Sequence, residues 1–171
     1  MTQGETPSGE GAVCRPDARR ARLLMAYEAY ALSEFARAAV PVTAHALRPD
    51  GSPRHPGAAL AEAAQVCAAA ARLLRAAVVY ERLGGADWQL IGDVLDVPPR
   101  TASERYGPAE ARLRAELSDP DQARDDESWW RPHALAHPRE AALDLDDWVL
   151  RHADGEEGLG RAPVSGALPG P

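Results

Sequence analysis

The chain has 171 residues and a formal net charge of −7, which allows one ordinary domain with tails. Residues 1–118 balance 14 arginines against 14 acids, whereas residues 119–171 set 5 arginines against 12 acids. Neither part is the basic domain typical of a strong nucleic-acid binder. Aromatic residues make up only 5% and alanine is abundant, which favours packed helices over a β-sandwich. All 19 basic side chains are arginine, and this bias is typical of a GC-rich, actinobacterial genome.

The sequence predicts a protein of the bacterial cytoplasm. Its first residues lack the charged and apolar regions of a signal peptide. No stretch approaches ~18 uninterrupted apolar residues, so no membrane partner is expected. Cys14 and Cys67 are the only cysteines, and they form neither a disulfide framework nor a metal motif.

Composition divides the chain into four segments. Residues 1–16 and 154–171 contain little to bury, and we expect them to be disordered tails. Residues 17–117 are expected to form a helical domain. Residues 118–153 read as an acidic linker and a short helix that Pro138 begins. The predicted fold class is therefore all-α, with two long helices that brace a helix-turn-helix and an acidic C-terminal extension.

The two long helices are marked by their apolar spacing and their end signals. The first opens at Pro16-Asp17 and ends near Val40, before a proline. The second runs from Ala58 to about Leu83, where two glycines end it. Its apolar stripe is expected to be buried within the domain: Leu60, Ala64, Cys67, Ala71, Leu74 and Val78.

A helix-turn-helix is predicted over residues 87–106. Ile91 and Leu95 place two apolar side chains on the core face of the first helix, and Gly92 allows close crossing of the second. Asp96 tolerates the left-handed turn. The second helix is expected to end near Tyr106 because a Gly-Pro pair follows, and Pro108 then opens another helix to about residue 117. The residues expected to be buried are Leu74, Val78, Ile91, Leu95, Val97, Ala102 and Tyr106.

The segments GGADWQLIGDVLDV and TASERYG carry a resemblance. They resemble actinobacterial helix-turn-helix proteins of the W-x-x-I-G-x-x-L type, similar to sigma-factor-like DNA-reading segments, over about residues 72–107. The resemblance implies DNA binding and transcription regulation through a second helix that faces the groove. The candidate DNA-binding residues it implies are Gln89, Arg100, Thr101, Ser103, Glu104 and Arg105.

Some residues depart from this pattern where DNA would be touched. Asp87 replaces the usual hydroxyl residue at the helix cap, where it still caps well but places a negative charge near a phosphate. Pro98-Pro99 occupies the start of the second helix, and residues 84–116 hold four arginines against six acids. The alternative is therefore a helix-turn-helix-fold protein-protein interaction module without DNA binding. The candidate partners are double-stranded DNA, another protein or a second copy of the chain.

No other pattern indicates chemistry. No catalytic residues, metal ligands or cofactors are predicted, and an enzyme is not expected. His133 and His137 have the i, i+4 spacing of two metal ligands, but prolines flank them and exposed histidines are the simpler interpretation. The Trp129-Trp130 pair is interpreted as packing or as a partner anchor. The acidic C-terminal third is either solubilising or a competitor of DNA for the arginines.

Overall fold

A computed structural model describes residues 16–41, 43, 45–119, 130–153 and 158–167 of the chain. The predicted N-terminal tail (except Pro16) and most of the acidic linker, with Trp129, lie outside these ranges. Within them the chain is all-helical and has no β-strand, which confirms the predicted all-α class. The helices are α1 Pro16–Ala38, α2 Ala58–Gly84, α3 Trp88–Leu95, α4 Pro99–Ser118, α5 Trp130–Ala136 and α6 Pro138–His152, followed by a 3-10 helix at Ser165–Ala167.

The long helices α1 and α2 pack along each other and form the frame of the fold. α2 ends at Gly85, whose φ of 103° lies in the left-handed region and whose N–H donates to the carbonyl of Arg82. Only glycine adopts this conformation without strain, so the two-glycine signal read in the sequence fixes the end of the helix.

Tyr27 of α1 joins the N-terminal and C-terminal parts of the chain. Its ring stacks on Trp130 of α5 at 4.9 Å between centroids, and its hydroxyl donates to the carbonyl of Ala141 in α6 at 3.1 Å. Burial, reinforced by the neighbouring Asp144 carboxylate, raises the pKa of Tyr27 to about 12. The hydroxyl is therefore a permanent donor at neutral pH, and Trp130 is part of the core rather than an exposed anchor.

Helices α5 and α6 belong to the same core as α1, which differs from the expected division of the chain near residue 117. Leu135, Ala141 and Leu145 are buried in one cluster with Leu23, Leu24 and the end of α2. Each short helix has one apolar face, which it buries against α1 and against the other short helix. Of the acidic residues in α6, Glu140, Asp144 and Asp147 are exposed, whereas Asp146 is buried.

The predicted disorder of residues 154–171 is wrong for residues 158–167. Asp146 of α6 is buried, and its Oδ1 accepts hydrogen bonds from the backbone N–H groups of Val164 at 2.6 Å and Ser165 at 3.1 Å. The Ser165 hydroxyl donates to the other carboxylate oxygen. One buried carboxylate thus orders a segment whose composition predicts none.

Two further expectations are corrected. Along α2, Leu60, Cys67 and Leu74 are exposed, with Leu60 75% accessible, because α1 covers the opposite side of the helix, where Ala69 is completely buried. The predicted break at Gly107-Pro108 does not occur, since α4 continues through Pro108 to Ser118. Burial of Tyr106 and Leu113 on either side of the proline offsets its missing backbone hydrogen bond.

By length and composition, α2 is the single described helix that could cross a membrane. Only 17% of its most apolar window is buried in the fold. Interrupting polar residues hid this property from a search for an unbroken apolar run, and the exposed apolar surface of α2 therefore needs an explanation.

Leu135→Ala tests the contribution of the C-terminal helices to the core. Leu135 is 1% exposed, so truncation should lower the free energy of unfolding by about 2–5 kcal/mol. The matched control is Leu143→Ala on α6, where the side chain is 51% exposed and the change should stay within about 0.5 kcal/mol. Urea denaturation followed by circular dichroism measures both, and equal losses would show that α5 is not part of the cooperative core.

Candidate nucleic-acid interface

The unit α3–turn–α4 is formed by a few local devices. The Asp87 carboxylate caps α3 by accepting the N–H of Leu90 at 2.8 Å. Asp96, at φ 54° and ψ 45°, ends α3 in the left-handed conformation, as expected for a residue whose short polar side chain tolerates it. The N–H of Val97 then donates to the carbonyl of Gly92 at 3.0 Å. Pro99 fills the first turn of α4, where its missing N–H costs nothing.

Gly92 lies where α4 crosses α3. A Cβ at this position would stand 2.7 Å from the backbone oxygen of Val97 and 3.1 Å from the nitrogen of Pro99. Backbone atoms cannot rotate away as a flexible side chain can, so only glycine permits this turn. The close crossing inferred from the sequence is confirmed, and it fixes the direction in which α4 leaves the turn.

A small separate cluster anchors the unit to α2. Val78, Ile91, Ala102 and Tyr106 are buried together, as predicted. Leu95 and Val97, also expected to be buried, are partly buried at its edge. Leu74 was expected in this cluster and is instead 40% exposed, because it lies one turn before the point where α3 and α4 pack against α2.

Arg82 adds a polar joint between α2 and the unit. Its Nε donates to Glu110 of α4 at 3.0 Å, its NH1 donates to the carbonyl of Ala86, and its guanidinium lies 4.5 Å from the ring centroid of Trp88. Burial raises the pKa of Glu110, but hydrogen bonds from Arg114 and Arg82 outweigh it and hold the pKa below its usual value. The carboxylate is thus charged throughout the neutral range.

The structure brings four of the six predicted contact residues onto one exposed face of α4. Arg100, Thr101, Glu104 and Arg105 are all exposed there, since i, i+4 pairs share a helix face. Ser103 is half-buried beside this face. Gln89 is exposed on α3, where its amide donates to Asp93 at 2.9 Å. The N-terminal half of α4 is the only part of the prediction that forms a continuous surface among the described residues.

The charge of this face is nearly balanced. Arg100 donates to Glu104 at 2.8 Å, and both side chains are largely exposed, the arginine at 89%. Arg105 lies with its guanidinium 5.4 Å from the ring centroid of Tyr106 and has no carboxylate partner in the described chain. Exposed acids at Asp87 and Asp96 flank the face. Any attraction to phosphate therefore comes from few side chains.

Sequence reasoning missed a cavity of about 910 Å³ between α1, α2, α4 and α5. Its polar lining includes Arg72, which pairs with the buried Glu28 at 3.3 Å. Nearby, the buried Glu116 accepts from Arg112 at 2.7 Å and Arg131 at 2.6 Å. The Arg72–Glu28 and Arg131–Glu116 pairs join different helices, so no local pattern could reveal them, whereas Arg112–Glu116 is an i, i+4 pair within α4. Two acids of the helical body, Glu28 and Glu116, are thus paired with arginines inside the fold.

No protein-family model, curated protein or solved structure matches the chain. The interpretation of the α3–turn–α4 unit therefore depends on its own geometry and on the resemblance in its sequence.

Gly92→Ala tests the close crossing. The added Cβ must displace backbone at the turn, so we expect a loss of about 1–3 kcal/mol in unfolding free energy. Gly107→Ala is the matched control, because this glycine lies inside α4 with nothing within 4 Å of an added Cβ and alanine should gain up to about 1 kcal/mol. Thermal denaturation of both variants measures these changes, and a Gly92→Ala variant as stable as the wild type would contradict the close crossing.

Proposed function

We propose that the chain is a helix-turn-helix DNA-binding or transcription-associated protein of a bacterial cytoplasm. The observation that carries the proposal is the exposed N-terminal half of α4, held outward by the Gly92 crossing and the buried Ile91–Tyr106 cluster. In helix-turn-helix proteins this part of the second helix contacts base edges in the major groove. Thr101 and the two flanking arginines are the side chains available for that contact.

Arg100 is the strongest candidate for a base or phosphate contact. Its ion pair with Glu104 is fully solvent-exposed and local, a kind of pair worth only about 0.3–0.5 kcal/mol. DNA can therefore displace Glu104 at little cost. Glu104 then acts as a weak competitor for the arginine, and Gln89, exposed on α3, is the proposed phosphate contact from the first helix.

The charge balance supports weak, salt-dependent binding. Phosphate neutralisation supplies most non-specific affinity, and the exposed face offers two arginines against several acids. Specific contacts would have to supply the remainder. We therefore propose sequence-selective binding rather than sequence-independent coating of DNA.

A second candidate function is protein binding through the same unit. Leu90 and Val94 lie one turn apart on α3 and are 54% and 74% exposed. Two large apolar side chains on the outer face of so short a helix are the kind of surface that partners bury. This observation favours an interaction module, and the two candidates use different helices.

The DNA-binding proposal is tested by a double-mutant cycle at Arg100 and Glu104. Arg100→Ala should weaken binding to sequences selected from a random pool by about 1–3 kcal/mol. Glu104→Gln should strengthen it roughly twofold by freeing the arginine, and most of this gain should vanish in the Arg100→Ala background. Fluorescence anisotropy at low salt measures all four proteins.

Arg139→Ala and Glu140→Gln are the matched controls, because they make the same charge changes on an exposed turn of α6. If the controls shift affinity as much as the α4 variants do, or if no sequence is selected from the pool, DNA recognition by α4 is wrong.

The protein-binding candidate predicts a different sensitivity. The double variant Leu90→Gln/Val94→Gln should lose proteins that the wild-type chain captures from a cytoplasmic extract, while its DNA binding and melting temperature stay unchanged. Leu150→Gln serves as the control, since Leu150 is 48% exposed on α6. Quantitative mass spectrometry of the captured material provides the measurement, and identical capture by all three proteins counts against this candidate.

A further inference from the structure

The exposed side of α2 carries an apolar repeat that the monomer does not use. Leu60, Ala64, Cys67, Ala71 and Leu74 alternate at spacings of four and three residues, the pattern of coiled-coil core positions. All five side chains are exposed. We call this set the α2 stripe. It continues into Val78, the next position of the repeat, which is buried under α3 and α4.

Most positions that flank the α2 stripe are also apolar. Ala61, Ala63, Ala68 and Ala70 are all exposed, and the one charged residue on this flank is the exposed Arg75 beside Leu74. From Ala58 to Ala71 the helix has one charged side chain, Glu62, which lies off the stripe. A helix that is apolar nearly all round is normally buried on more than one side, whereas the side of α2 that carries the stripe is exposed from Leu60 to Leu74. A strip of this kind does not suit nucleic acid, which needs cationic groups.

We infer that the α2 stripe is a homodimer interface in which two copies of α2 pack antiparallel. The stripe reads nearly the same in both directions, with a leucine at each end and the small residues Ala64, Cys67 and Ala71 between them. Antiparallel pairing of the repeat places Leu74 of each copy against Ala64 of its partner, so that a large side chain meets a small one in these two layers. Between them Cys67 faces Ala71, and these small side chains allow the two helices to approach closely. A parallel pairing in register would stack leucine on leucine and alanine on alanine, and would leave gaps at the alanines.

The size and charge of the surface fit a second copy of the chain. The α2 stripe spans residues 60–74 as a strip about 22 Å long and about 10 Å wide, and two such strips would remove accessible surface on the order of 800 Å² in total, which fits a weak, reversible dimer rather than an obligate one. An isologous dimer requires a surface that complements itself. This strip meets the requirement because its one flanking charge, Arg75, lies about 18 Å along the axis from its counterpart in the partner, so that no like charges face each other. The inference is independent of the proposed DNA binding.

The decisive experiment compares carboxylates introduced on neighbouring residues of α2. Ala64→Glu places a charge in the stripe, and Gln65→Glu places the same charge about 100° round the helix; both positions are exposed in the monomer. Sedimentation equilibrium of the full chain should show a dimer for the wild type and for Gln65→Glu. Ala64→Glu should raise the dimer dissociation constant roughly a hundredfold or more, because two unpaired carboxylates would be buried.

Leu60→Gln, at the more exposed of the two leucines of the stripe, is a second variant should Ala64→Glu disturb folding. Circular dichroism verifies that each variant is helical. A monomeric wild type, or equal dimerisation of Ala64→Glu and Gln65→Glu, overturns the inference.

Disulfide trapping in the folded chain tests the relative orientation of the two α2 helices. In a chain with Cys14→Ser and Cys67→Ala, Ala64→Cys and Leu74→Cys are made separately and mixed. Antiparallel packing predicts the mixed disulfide between the two variants, whereas predominant Ala64→Cys homodimers would overturn it. Flotation with phosphatidylcholine vesicles tests whether the stripe binds a membrane instead. A wild-type chain that floats with the vesicles and is monomeric in their absence would overturn the dimer and assign the stripe to a membrane.

Discussion

The Arg82 guanidinium is the joint on which the arrangement of the fold depends. It lies at the end of α2, reaches Glu110 on α4, the Ala86 carbonyl in the loop before α3 and the face of Trp88. A planar group with several donors can satisfy all three at once, which a lysine could not. Because the pair is only partly exposed, at 22% for the arginine and 12% for the glutamate, it is screened less than a surface ion pair. The direction of α4 relative to the long helices follows from this joint together with Gly92.

Local chemistry explains which parts of the structure the sequence could predict. The ends of α2, the Asp87 cap, the left-handed Asp96 and the Gly92 crossing each depend on residues within one or two turns, and all were predictable. The end of α4 was not, because the cost of Pro108 is offset by burial of Tyr106 and Leu113 against other helices. Likewise, order in residues 158–167 depends on Asp146, a residue about 18 positions away. Amino-acid composition does not reveal contacts between residues so far apart in the sequence.

The site shows the same division. The resemblance implies contact residues on one side of the second helix, and Arg100, Thr101, Glu104 and Arg105 are all exposed there. It could not show that Arg100 is already paired, or that Ser103 turns partly inward. The misplaced burial of the α2 stripe has a different origin. A seven-residue apolar repeat indicates that a helix face is buried, but it does not indicate whether the residues that bury it belong to the same chain. Here α1 packs on the opposite side of α2, and the α2 stripe stays exposed within one copy of the chain.

The two ends of α2 thus make different contacts, and together they bear on how a unit with more acids than arginines would hold DNA in the proposed function. Its last turns anchor α3 and α4, and its earlier turns present the α2 stripe. In an antiparallel pair centred near residue 69, the two Val78 positions lie about 27 Å apart along the axis, with each α3–α4 unit beyond them. Dimeric helix-turn-helix proteins bind half-sites one helical turn apart, about 34 Å. Doubling the chain doubles acids as well as arginines, so it does not improve the local charge. It does make the second contact intramolecular, and the resulting effective concentration is in the millimolar range for closely linked sites. Affinity in such a protein would come from bivalency rather than from net charge, which is compatible with the near-neutral face of α4.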